Sequence, residues 1–143
     1  MIRVCFVCLG NICRSPMAEY IFKDMLNKKG ISDLFLVESR GTSYEEVGNP
    51  IYPPVRKLLG NKGINTCNHI ARCAEKEDYL KFDYFICMEE SNIKRLNLIL
   101  KKNDKTRKLL EQDIEDPWYT EDFQTTYEEI VLGLNKFLKE LGF

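Results

Sequence analysis

This sequence has almost no net charge: 21 lysines and arginines stand against 22 aspartates and glutamates, a formal balance of −1 at pH 7. Without a basic field over the whole chain, nothing at this level points to nucleic acid or an anionic membrane. Long apolar runs are missing too, and none approaches the ~20 residues of a membrane-spanning helix. The start, Met1-Ile2-Arg3-Val4-Cys5, lacks the apolar stretch and small-residue cleavage site of a secretory signal. The expectation is a cytoplasmic protein with no nucleic-acid or membrane partner. Histidine is reduced to one residue, His69. Cys5 and Cys8 form a C-x2-C pair, but a zinc site needs a second ligand pair, and Cys67, His69 and Cys73 do not have its spacing. No metal and no cofactor are expected. With no internal repeat, low-complexity tract or linker, residues 1–143 read as one domain, long enough to bury a core.

The six cysteines are Cys5, Cys8, Cys13, Cys67, Cys73 and Cys87. With no route outward, they read as reduced thiols rather than a disulfide framework. Around them the apolar pattern alternates. Arg3 to Val7 reads as a buried strand. A helix follows with Ser15 as its N-cap and Pro16 in its first turn, carrying Ala18, Ile21, Phe22 and Met25 at helical spacing, and Gly30 ends it. Leu34 to Ser39 reads as a second strand, closed by Gly41. A loop from Gly48 to Pro54 leads to a short helix around Val55, Leu58 and Leu59, stopped by Gly60 to Gly63. Phe82 to Cys87 reads as a third strand and Ser91 onward as a helix carrying Ile93, Leu96 and Ile99. Lys101 to Lys105 is a turn, and Lys108 to Leu110 a short fourth strand. A final helix shows one face through Phe123, Tyr127, Ile130, Leu134, Phe137 and Leu141. This alternation predicts an α/β fold in three layers: a four-stranded parallel sheet with helices on both faces. In such sheets ligands bind beyond the carboxyl ends of the strands.

At that place after the first strand lies Cys8-Leu9-Gly10-Asn11-Ile12-Cys13-Arg14-Ser15. A thiol, five residues and an arginine wrap around one phosphate-sized dianion. C-x5-R alone is a weak pattern, but a strand before it and a helix after it make an anion cradle. The helix N-terminus supplies free N–H groups and partial positive charge. Gly10 and Asn11 tolerate the backbone angles that turn successive N–H groups inward. Beside an arginine and a helix N-terminus a cysteine favours its thiolate. Cys8 would attack phosphorus and form a phosphocysteine. Arg14 would hold two phosphate oxygens at once, and Ser15 would donate a hydrogen bond to the Cys8 sulfur. A general acid must protonate the leaving group, and composition does not choose it among the carboxylates.

Read as Val-Cys-Phe-Val-Cys-Leu-Gly-Asn-Ile-Cys-Arg-Ser-Pro, residues 4–16 resemble the low-molecular-weight protein tyrosine phosphatases. So do Asn68-His69-Ile70-Ala71-Arg72, the stretch from Phe82 to Asn92, and Asp116-Pro117-Trp118-Tyr119, in the same order and spacing over nearly the whole chain. The resemblance implies hydrolysis of phosphotyrosine in proteins and peptides, and of small aryl phosphates, with inorganic phosphate as product, by a monomer or weak dimer. It implies Cys8 as nucleophile, Arg14 as clamp, and Asp116 as general acid and then base. It implies Asn11 as a brace of the loop, with His69 and Ser15 supporting it. Cys13 matches a loop cysteine that captures the oxidised nucleophile as a disulfide. Leu9, Ile12, Trp118 and Tyr119 match rim positions. One departure stands out: the family usually carries an aromatic residue two positions before the Val47-Gly48 pair, where this chain has Glu45 preceded by Tyr44. Either Tyr44 swings in, or one wall is missing and acidic. Tyr119 is the one tyrosine of the Trp118-Tyr119 pair that regulation by phosphorylation would use.

Two rival functions are weaker. A thiol-dependent arsenate reductase on this fold needs a C-x6-C pair after the third strand, and six residues beyond Cys87 place the partner at Lys94. A non-catalytic phosphotyrosine reader is expected to lack the nucleophile, the arginine or the acid, and Cys8, Arg14 and Asp116 are all present.

Overall fold

Strand β1 (Ile2–Cys8) is the axis of the molecule in a computed structural model that describes all of residues 1–143. Val4, Cys5, Phe6 and Val7 are wholly buried, because β1 has a strand on each side and helices above and below. That is why it reads as an unbroken apolar run rather than an alternating one. β2 (Phe35–Gly41) pairs with it in parallel from Ile2 opposite Phe35 to Cys8 opposite Gly41, and β3 (Tyr84–Cys87) pairs on its other side. β4 (Thr106–Lys108) adds to β3, giving the order β2-β1-β3-β4, all parallel. The order turns at β1, so the loops after β1 and β3 leave a crevice between them at the carboxyl edge.

Helices cover both faces. On one, α1 (Arg14–Lys28), α2 (Pro53–Asn61) and the long α6 (Phe123–Glu140) pack on Val4, Phe6 and Ile86. On the other, α4 (Glu90–Leu100) lays Leu96 and Leu100 over Cys5, Val7, Phe85 and Cys87. The short helices α3 (Asp78–Lys81) and α5 (Pro117–Thr120) and a 3-10 turn at Ser32–Leu34 were not legible as periodicity, since each is too short to show one.

Two expectations are corrected. The fourth strand falls at Thr106–Lys108, not Lys108–Leu110. An edge strand needs its backbone for pairing more than an apolar face. Leu109 and Leu110 pass beyond it into the core, while Arg107 reaches α6 and pairs with Glu140. Ser15 is not the N-cap of α1. The helix begins at Arg14 with Cys13 at the cap position and no side-chain cap bond, and the Ser15 hydroxyl, within the first turn, faces Cys8 Sγ instead.

Candidate active site

The loop between β1 and α1 closes on the sulfur at its own base. The Asn11 N–H donates to Cys8 Sγ at 3.3 Å, and Ser15 Oγ lies 3.0 Å from the same sulfur. Asn11 makes the tight turn with φ of 61°, a left-handed conformation that asparagine accepts more readily than most residues. Gly41 makes room on the β2 side: a Cβ there would stand 2.7 Å from the Leu9 carbonyl oxygen and 3.3 Å from Asn11 Cβ.

The Asn11 side chain, fully buried, ties this loop to three other segments. Its Oδ1 accepts from the Arg72 N–H at 2.9 Å, which fixes the amide's orientation. Its Nδ2 then donates to both Ser15 Oγ (2.8 Å) and Ser39 Oγ (2.9 Å). Ser39 Oγ in turn donates a hydrogen bond to the buried Glu19, which also pairs with Lys23. His69 Nε2 lies 2.7 Å from the Asn11 carbonyl oxygen. A carbonyl only accepts, so Nε2 carries the proton. Burial lowers the His69 pKa, against the raising influence of the Asn11 carbonyl and Glu19. Every partner of Asn11 is thus assigned, and all of them hold the loop rather than face a ligand.

Arg14 rises from the first turn of α1 into the crevice between the β1 and β3 loops. It is 1% exposed, yet three groups address it: the Ile114 carbonyl accepts from Nη1 at 2.7 Å, Glu89 lies at 3.1 Å, and Asp116 at 3.5 Å. Burial opposes its charge, but Cys8, Glu89 and Asp116 outweigh it and the guanidinium pKa is raised. Glu89 is itself fixed as the cap of α4, where its side chain accepts a backbone N–H and the Ser91 hydroxyl. Asp116 caps α5: Oδ1 accepts from the Trp118 N–H at 3.0 Å while Oδ2 faces Arg14. Pro117 at the first helical position suits that cap.

Above the sulfur opens a cavity of about 170 Å³, with Cys8, Leu9, Gly10, Ile12, Cys13 and Arg14 as its floor and near wall. Asp116, Trp118 and Tyr119 from the α5 segment and Ser43, Glu45 and Glu46 from the segment after β2 complete its lining. Trp118 leans on Tyr52, ring centroids 4.8 Å apart, and the Tyr52 N–H donates to the Ile12 carbonyl, so α2, α5 and the loop share one anchor.

Comparison with known proteins decides the family. A model of the family described as low molecular weight phosphotyrosine protein phosphatase matches residues 3–142. The chain belongs to that family. It is 38% identical to the human low molecular weight phosphotyrosine protein phosphatase, over 96% of this chain and 94% of that protein. The crystal structure of YfkJ from Bacillus subtilis superposes with a TM-score of 0.94 at 36% identity, covering 99% of this chain and 95% of that one. SP-PTP, a low molecular weight protein tyrosine phosphatase from Streptococcus pyogenes, gives 0.92 at 39% identity, covering 99% and 93%.

Within this family frame, the structure brings Cys8, Arg14 and Asp116 to one cavity, with Leu9, Gly10, Ile12 and Cys13 around it. Asn11 and Ser15 lie beneath the floor, not on its surface. The rim expectation is corrected at Tyr44: it does not line the cavity. It is 73% exposed and turned to Cys73, whose proximity raises the phenol's pKa. Glu45 takes the wall instead. Sequence reasoning missed Ser39, Glu19, Glu89, Ser43 and Glu46. A glutamate at Glu19, on the core-facing side of an amphipathic helix, was the one available signal that a buried polar partner existed. Ser43, Glu46 and Glu89 lie beside or within stretches the sequence marked, but nothing local in them shows that they reach the loop; only the fold brings them and Ser39 to it.

Proposed function

We propose that this chain hydrolyses phosphotyrosine in proteins and peptides through a phosphocysteine on Cys8. One observation carries the proposal: the Cys8 sulfur sits at the base of a cradle that also presents Arg14 and Asp116, with an N–H and a hydroxyl turned to the sulfur from below. The phosphate dianion enters against the inward N–H groups, and Arg14 holds two of its oxygens. Cys8 attacks phosphorus from below while Asp116, at the cavity wall, gives its proton to the departing tyrosine oxygen. The P–O bond breaks, a P–S bond forms, and the phenol leaves. Asp116, now a carboxylate, takes a proton from water, whose oxygen attacks phosphorus. The P–S bond breaks, inorganic phosphate leaves, and both thiolate and acid are restored. Ser15 stabilises the sulfur as nucleophile and again as leaving group. Cys13 is the resolving thiol: burial and nearby Cys8 push its pKa up, so it stays protonated and does not compete for phosphate. Peroxide converts Cys8 to a sulfenic acid, which Cys13 closes to a disulfide with loss of water.

The test is phosphate release from a phosphotyrosine peptide in chelator and reductant. Turnover abolished by Cys8→Ser and lowered by about 10²–10⁴-fold in Asp116→Ala is the expected result. Binding of the peptide without turnover would overturn the enzyme, and turnover indifferent to Asp116 would overturn the acid assignment. In the same assay, peroxide-inactivated enzyme is expected to recover with reductant and to show a Cys8–Cys13 bond by mass spectrometry.

A further inference from the structure

The charge of the chain is balanced, but the mouth of its cavity is not. Two glutamates, Glu45 and Glu46, line the cavity together with the proposed acid Asp116, and the one cation among the lining residues is Arg14. Arg14 lies at the floor, buried and already paired with Glu89 and Asp116. No cationic side chain stands on the rim to neutralise Glu45 or Glu46. Glu45 is exposed, and Glu46 is held in place by Asn49, whose Nδ2 donates to its Oε2 at 2.7 Å. The chain around Asp116 and Tyr119, which also lines the cavity, continues the sign with exposed Glu115, Glu121 and Asp122. A substrate that seats its phosphate on the floor leaves its neighbouring residues at this rim.

We infer that the rim carboxylates select substrates whose residues flanking the phosphotyrosine are basic, with Glu45 as the main determinant. The inference rests on the proposed phosphotyrosine hydrolysis and goes beyond it. The physical basis is separation of roles. The floor provides the positive field that every phosphate dianion needs, so it does not distinguish sequences. Exposed charges act on one another over about a Debye length, ~8 Å at physiological ionic strength, and the rim borders whatever flanks the phosphorylated residue. There, lysine or arginine meets opposite charge, and glutamate or aspartate meets like charge. The Glu45 N–H donates to Ser43 Oγ and its carboxylate has no hydrogen-bond or ion-pair partner, whereas the Glu46 carboxylate is engaged by Asn49, so Glu45 has the larger effect.

The experiment compares kcat/KM for three phosphotyrosine peptides of equal length, flanked on both sides by arginine, alanine or glutamate. Wild type, Glu45→Gln and Glu45→Lys are each assayed at low salt and at high salt, with p-nitrophenyl phosphate as a flank-free substrate. The arginine-flanked peptide is expected to exceed the glutamate-flanked one by about three- to tenfold at low salt, the scale of two exposed charge pairs. The ratio is expected to shrink at high salt, to fall in Glu45→Gln and to invert in Glu45→Lys. Equal rates for the three peptides in wild type would overturn the inference while leaving the hydrolysis intact. So would a preference unmoved by salt or by both variants. Failure of wild type to turn over any peptide or p-nitrophenyl phosphate would overturn the hydrolysis itself, and this inference with it.

Discussion

The hydroxyl of Ser15 has one proton, and the Asn11 amide decides where it goes. Because Asn11 Oδ1 is occupied by the Arg72 N–H, Nδ2 must donate to Ser15 Oγ, and the Ser15 proton is left for the Cys8 sulfur 3.0 Å away. The alternative acceptor, the Arg40 carbonyl, lies farther off at 3.4 Å. A hydrogen bond to a charged group contributes about 1.5–3 kcal/mol. Ser15→Ala is therefore expected to lower kcat on a phosphotyrosine peptide by about 10–100-fold, with KM less affected. Unchanged kcat in a steady-state assay would mean that the Asn11 N–H alone stabilises the sulfur. The sequence showed that Ser15 belonged near Cys8. It did not show that Ser15 is held there by Asn11 and not spent on the helix cap.

Two glycines set the spacing between elements, with opposite consequences. At Gly41, on the end of β2, an added Cβ meets backbone: the Leu9 carbonyl oxygen at 2.7 Å and Gly10 C at 3.1 Å. Backbone there cannot yield without moving the loop that surrounds Cys8. At Gly133, inside α6, the added Cβ meets no backbone, only the Leu109 side chain, with Cγ at 2.5 Å and both Cδ atoms at 3.0 Å, so this buried leucine must shift, while alanine raises helix propensity by about 1 kcal/mol. Gly41→Ala is expected to lower kcat/KM at least tenfold and to cost about 1–3 kcal/mol of stability. Gly133→Ala is expected to leave kcat/KM within a factor of about two, its overpacking partly offset by propensity. Steady-state kinetics with denaturant melts on both variants check the pair. A Gly41→Ala enzyme with wild-type kinetics would show that the loop does not depend on this close approach. The sequence marked Gly41 as a strand end. It carried no sign that the loop backbone presses on it.

Across the whole molecule, the single histidine couples folding to pH. His69 is buried against Tyr20, rings edge to face at 6.0 Å, and bonded through Nε2 to Asn11, with Glu19 and Lys23 the charged groups near it. Its folded pKa lies below the unfolded value of ~6.5. On acidification the unfolded chain therefore takes up the proton first. The stability that His69 contributes is present in full above the unfolded pKa and is lost as pH falls toward the folded one. Denaturant midpoints measured from pH 7.5 down to 5.5 are expected to fall more steeply for wild type than for His69→Gln. Parallel profiles would remove His69 from the acid response. Lying 58 residues from Asn11 in sequence, His69 shows what the linear chain conceals: Arg14, Glu89, Ile114 and Asp116 likewise meet from three different strand-to-helix connections.

The nucleophile, the clamp and the layer order were legible locally. A buried apolar run followed by Cys8 to Ser15 and a helix marks a cradle in the sequence, because the strand, the turn and the helix N-terminus are consecutive, while Ser39, His69, Arg72 and the close approach of Gly41 brace it from distant segments. The alternation of strands and helices likewise fixed a parallel sheet covered on both faces. Only the tertiary structure decided which carboxylates surround Arg14, that Tyr44 turns to Cys73 and leaves the wall to Glu45, and that four residues of Asp78–Lys81 form a helix around a buried carboxylate. Each of these depends on contacts between segments far apart in the chain. Such contacts are selected by packing and by the pairing of buried polar groups, and neither leaves a periodic trace in the residues that make them.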